Sequence, residues 1–239
     1  MMIQIGNFFF RVRNGLFPLA YVLLFLPAKP LVADYRVAVV AGLFIALAGQ
    51  SLRAVTIGLD YIVRGGRNRQ VYADRLVSGG LFAHCRNPLY VGNFLILLGL
   101  GVASNSLLFL TVAIPFFLFA YAAIIAAEEN YLRGKFGAEY DEYCLRTPRI
   151  IPRFSGLSTT LRGMGFNWRR LISAEYGSTY LWTAALVLVV AENASFEATG
   201  TLKLPYAWAF MLTLAVLTAC YVMARVAKKS GMLQPKPVG

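Results

Sequence analysis

The stretch SGGLFAHCRNPLYVGN at 78–93 holds the densest polar chemistry of an otherwise apolar chain. Gly79 and Gly80 permit a tight turn. His84, Arg86 and Asn87 follow, with groups that donate or accept hydrogen bonds and protons. Pro88 then opens an apolar run to Ala103. Asparagine at the cap and proline at the first helical position predict a helix start at 87/88. Its first N–H groups lack partners within the helix, and beside an arginine they offer a seat for a carboxylate or phosphate. The same residues also read as a capped helix end with an arginine reaching to the membrane surface.

A second cluster is Glu128 and Glu129, adjacent carboxylates directly after an apolar run. Such a pair is costly unless it is solvated, paired or used. A short turn at 104–106 joins the two apolar runs into a hairpin, so both glutamates are expected beside Arg86 and Asn87; a hydrated helix end salt-bridged to Arg86 is the plainer reading. The third cluster is LRGKFGAEYDEYCLRTPRIIPR at 132–153, where Leu132, Phe136, Tyr140 and Tyr143 recur at helical spacing. That pattern predicts an amphipathic helix interrupted near Gly137 and ended by Pro148 and Pro152, serving as a membrane-surface anchor, a lid over the hairpin mouth, or both.

These clusters need a membrane to position them. Of 239 residues, 58% are hydrophobic and 14% charged, and the mean hydropathy is +0.61, too apolar for one soluble core. Spans are expected at 16–33, 37–59, 88–103, 107–127 (bent at Pro115), 178–191 and 205–226. Residues 1–14 read as an interfacial lead-in, and the basic start of the first span resembles a signal peptide but lacks a small-residue cleavage site, which favours an uncleaved anchor. Six spans put both termini, the 60–87 loop (Asp60, Arg64, Arg67, Arg69) and the 128–177 segment on one side. That side also takes Lys236 and holds 19 of the 23 Lys and Arg; Lys29, Arg36 and Lys203 lie opposite and Arg53 inside a span. The basic side is therefore expected in the cytoplasm, and the membrane is expected to be the plasma (inner) membrane. The net charge of +12 follows from the same bias, so no nucleic-acid partner is expected. Arg53, about two turns inside its span, reads as a snorkelling arginine or as a polar contact to a ligand between helices. Three dispersed cysteines and one histidine exclude a disulfide framework and a multi-histidine site, so no metal is expected. Cys85 has no visible base partner, and Cys220 reads as core.

The motifs GLFAHCRNPLYVG and EENYLRGKFGAEYDEYCLRTPRIIP resemble the isoprenylcysteine carboxyl methyltransferase and phospholipid methyltransferase group. Its pattern opens a hairpin with R-[HN]-P-x-Y-x-G, continues with two glutamates and F-G-x-x-Y-x-x-Y, and ends in P-x-x-I-P. The resemblance covers about 40–153. It implies an all-α polytopic membrane bundle of about six spans with a cytoplasmic cofactor pocket closed by an interfacial helix segment. The divisions expected are 1–36 (lead-in and first span), 37–153 (methyltransferase core) and 154–239 (extension with two spans). It also implies S-adenosylmethionine as donor and a lipidic or membrane-partitioned small-molecule acceptor. Cofactor contacts are expected from Asp74, Arg75, Leu76, Val77, Phe82, His84, Asn87, Pro88, Leu89, Tyr90 and Glu128, with Glu128 taking the donor's amino group. Arg86, Asn87 and Glu129 are the candidate catalytic residues, Glu129 as base or orienting group. Asn87 stands where many members have histidine, which argues against proton transfer there. Ile124 stands where prenylcysteine enzymes carry an arginine, which argues against a prenylcysteine carboxylate as acceptor. Tyr143–Pro152 also resembles the ending of sterol or steroid reductases, which would imply NADPH. A non-enzymatic membrane subunit is the third reading, and the sequence leaves the oligomeric state open.

Overall fold

The computed structural model describes residues 1–26, 28–59, 71–197 and 204–233. Asp60, Arg64, Arg67, Arg69, Lys203 and Lys236 lie outside them. The described residues form an all-helical bundle. Helix α1 (Met2–Ala20) runs on as a 3-10 turn at Tyr21–Phe25, and α2 spans Tyr35–Leu59. After a 3-10 turn at Gly80–Ala83 come α3 (Pro88–Ala103), a π-helical turn (Phe109–Ala113) and α4 (Ile114–Phe136). The short α5 (Ala138–Arg146) and α6 (Leu157–Gly163) lead to α7 (Trp168–Glu197) and α8 (Leu204–Lys229). Five of the helices are long and apolar enough to cross a membrane, and α3 is a shorter apolar one.

The closest pairing is α2 against α3, and its cause is legible in small residues. Ala38, Gly42, Ala46, Gly49 and Arg53 of α2 share one buried stripe, as do Gly92, Ile96, Gly99 and Ala103 of α3. A Cβ on Gly42 would sit 2.3 Å from the Gly99 carbonyl oxygen, and one on Gly49 2.6 Å from that of Gly92. The backbones therefore touch, as small residues allow where lipid gives no hydrophobic drive for helices to associate.

At 16 residues, α3 is about 24 Å long, short of the ~30 Å hydrocarbon core. The turn that ends it is buried in protein, and its polar groups are met there. Asn105, at φ 55°, accepts from the Leu31 and Val32 amides at 2.9 Å and donates to the Val32 carbonyl at 2.9 Å. Irregular backbone at depth survives only with such partners. Pro115 stands at the start of α4, directly after the π-helical turn, where its missing N–H is tolerated.

Several expected boundaries move. The first span is Met2–Phe25, not 16–33, because Arg13 faces inward, stacked 3.8 Å over the Phe10 ring. The fourth helix passes Ala127 and stops at Gly137, whose φ of 52° suits glycine. Residues 168–176, read as polar loop, are the first turns of α7. Cys220, read as core, is exposed on the lipid side of α8.

Replacing Gly49 by leucine should cost about 1–3 kcal/mol of stability, read as equilibrium unfolding in mixed micelles. Gly15→Ala, where nothing lies within 4 Å, should leave it unchanged or slightly raised.

Candidate functional site

One polar end of the bundle holds a cavity of about 1010 Å³. Every residue singled out from the sequence as catalytic or cofactor-binding borders it, His84 excepted. Both His84 ring nitrogens are engaged behind the wall, Nδ1 with the Arg153 carbonyl and Nε2 with the Thr160 hydroxyl, each at 2.8 Å. His84 is therefore a strut for the 153–160 stretch.

The mouth is built on Glu129. Its carboxylate meets Arg149 at 2.8 and 3.0 Å and Arg86 at 3.4 Å, which joins α4, the strip after α5 and the start of α3. The Arg86 Nη1 also donates to the Cys144 sulfur at 2.7 Å. The Arg86 Nε is buried without a hydrogen-bond partner, and the residue borders the cavity. Asn87 caps α3 by position only: its side chain makes no capping bond and instead donates to the Arg149 carbonyl at 3.1 Å. Cys85 is buried against the Ile150 carbonyl at 3.2 Å. Burial pushes its thiol pKa up, over the opposing pull of the Asn87 amide and Arg86, so it is a protonated packing residue at neutral pH.

Helix α5 roofs the mouth. Tyr140 and Tyr143 are buried and border the cavity, and the Tyr143 hydroxyl donates to the Phe82 carbonyl at 2.7 Å. Burial raises the pKa of both phenols, so they stay neutral. The Arg86 amide donates to the Pro148 carbonyl and the Arg153 amide to the His84 carbonyl, each at 2.9 Å, so the strip that follows the roof is tied to the 84–86 segment. The facing edge is residues 71–77, where the Tyr72 hydroxyl bonds Asp74 and the Lys135 ammonium bonds the Ala73 carbonyl.

Deeper in, Glu128 accepts from the Tyr90 hydroxyl at 2.8 Å, with Arg13 4.0 Å away. Arg53 does not snorkel. It is buried and forks onto Glu175 of α7 at 2.7 and 2.8 Å, with Asn93 on its third nitrogen. Trp182 donates to Gln50 at 2.8 Å, and Arg170 closes the end of α2 through the Ile57 and Gly58 carbonyls at 2.7 Å. Sequence reasoning missed Arg13, Asn93, Glu175 and Trp182. The available signal was an acidic residue, Glu175, on the helical stripe of Trp182, Ala185 and Val189, hidden by starting the fifth span at 178. The cavity wall also crosses the expected boundary at 153/154. Among the described residues no group of three His, Cys, Asp or Glu is placed to hold a metal.

Truncating Arg53 to methionine strands the Glu175 carboxylate and should cost about 3–5 kcal/mol. The double substitution Arg53→Met with Glu175→Leu should recover most of it in a thermal melt.

Residues 38–139, which carry α2, α3, α4 and the polar stretch between α2 and α3, match the phospholipid methyltransferase family model. The chain is 34% identical over 118 residues to a nickel-cobalt-cadmium resistance protein, NccN, of Alcaligenes xylosoxydans xylosoxydans (48% of this chain, 52% of the relative). It is 34% identical over 131 residues to the cobalt-zinc-cadmium resistance protein CzcN of Cupriavidus metallidurans (54% and 57%). It is 35% identical over 113 residues to the protein-S-isoprenylcysteine O-methyltransferase of Schizosaccharomyces pombe (44% and 45%). The chain thus spans about half the length of the curated relatives it matches. No solved structure matches it.

Proposed function

We propose that this membrane protein of the phospholipid methyltransferase type moves a methyl group from S-adenosylmethionine to a lipidic or membrane-partitioned small-molecule acceptor. The site would face the cytoplasm, with both termini on that side, as the basic bias of that side favours; the plasma (inner) membrane is the expected location. The observation that carries the reading is the cavity that gathers Arg86, Asn87, Tyr90, Glu128 and the 74–77 edge under the α5 roof. Its 1010 Å³ lies at the top of the usual ~300–1,000 Å³ for small-molecule sites, enough for a donor with a second molecule.

The donor supplies a methyl group already activated on a positively charged sulfonium. The chain's part is binding, orientation and exclusion of water. The Arg86 guanidinium at the cavity mouth suits a carboxylate, and Glu128, held by Tyr90, suits an ammonium group. Glu129, gripped by two guanidinium groups, orients Arg86 and is poorly suited as a base. Tyr140 and Tyr143 keep bulk water off the mouth. Holding two reactants in line at such a site can supply about 7–11 kcal/mol, so no strong acid or base is required of the chain.

Methyl-labelled S-adenosylmethionine given to membranes with and without the protein should label a membrane-extractable product only when the protein is present. Glu128→Ala and Asn87→Ala should each abolish that labelling while the protein still purifies folded; full activity in both would remove the site assignment. Purified protein that binds NADPH and not S-adenosylmethionine would reverse the reading in favour of a reductase. Donor binding without any labelled product from native membranes would favour a non-enzymatic subunit.

A further inference from the structure

The family segment ends at 139, yet the cavity continues past it into walls made by other parts of the chain. Phe17, Pro18 and Tyr21 from the first span and Ser178, Leu181 and Trp182 from α7 border its inner part. They face Asn93, Ile96, Leu97 and Tyr121 of the hairpin. This inner part is lined mainly by apolar side chains, with neutral hydrogen-bonding groups at Tyr21, Asn93 and Tyr121 and the paired Arg53 in its wall.

The charges at this depth are matched already. Arg53, which borders the cavity, is forked onto Glu175, and Glu128, which Tyr90 holds with Arg13 4.0 Å away, is taken by the donor's ammonium group on the reading above. A charged head placed here would meet no opposite charge to spare, and in a low-dielectric chamber it would carry its full burial cost. Helix α7 packs on α2 and α3 and meets the first span chiefly at the Tyr21–Phe25 turn. Nearer the polar end, α1 and α7 are thus separate walls of one cavity.

We propose that the inner chamber between Tyr21, Asn93, Tyr121 and Trp182 is the acceptor subsite, and that it takes an uncharged single-chain amphiphile. On this view α1 and α7, outside the family segment, decide which acceptor fits, while the segment 38–139 holds the donor. This deepens the methyltransferase reading and rests on it for the word acceptor; the chamber's ligand class stands on its geometry.

Trp182 provides the readout, because the chain has three tryptophans and the other two, Trp168 and Trp208, are exposed. In one form Trp168→Phe and Trp208→Phe leave Trp182 alone; in a second, Trp168→Phe and Trp182→Phe leave Trp208 alone. Both are placed in phosphatidylcholine nanodiscs and titrated with a long-chain alcohol tipped with bromine, a short-range quencher. Quenching of Trp182 should saturate, while quenching of lipid-facing Trp208 rises in proportion to probe in the bilayer. Trimethylammonium and carboxylate analogues of the same chain should bind on the order of a hundredfold more weakly at Trp182, the cost of an unmatched buried charge. Quenching of Trp182 that tracks Trp208, or equal saturation by a charged analogue, overturns the proposal. Calorimetric titration of the Trp182-only form with S-adenosylhomocysteine separates the two readings: saturation at Trp182 without nucleoside binding sinks the methyltransferase and leaves the chamber, and the converse sinks the chamber alone.

Discussion

A guanidinium within a membrane span must be matched or moved, and Arg53 is matched by Glu175. Two charges taken out of water cost several kcal/mol each, repaid only when geometry is close and the remaining hydrogen-bonding groups are satisfied. Here the fork of Arg53 meets both carboxylate oxygens, and Asn93 takes the remaining nitrogen. Because the partners sit on α2 and α7, 122 residues apart, the pair locates α7 against the tight α2–α3 couple. Without that contact the inner cavity would lack its rear wall. Gln50 and Trp182 extend the same seam one turn deeper.

The mouth follows the same logic with a different carboxylate. Glu129 joins Arg86 and Arg149, so the start of α3, the end of α4 and the strip after α5 are clasped at one point. The strip that follows the roof is therefore tied by backbone bonds and one ion cluster, and it has no need of a large apolar interface of its own. Neighbouring Glu128 faces inward instead, toward Tyr90. One helical step of about 100° between adjacent residues divides two like side chains between scaffold and cavity.

The match to the phospholipid methyltransferase family model runs from α2 to the start of α5. That part carries the hairpin and the polar mouth. The inner wall comes from α1 and α7, beyond the family segment.

Sequence alone determined the hairpin, the break at Gly137 and the gathering of Arg86, Asn87 and Glu128 at one end. These follow from local facts: apolar length, proline and glycine positions, and a turn too short to let two helices part. It misplaced the first span and the start of α7, because Arg13 and Glu175 look like loop residues when read by charge alone. Only the tertiary structure decided that each has a partner, that His84 is tied behind the wall, and that Asn87 turns its amide to Arg149 in place of capping. The reason is physical: the cost of a buried polar group depends on what faces it, and for Arg53 that partner lies more than a hundred residues away in sequence.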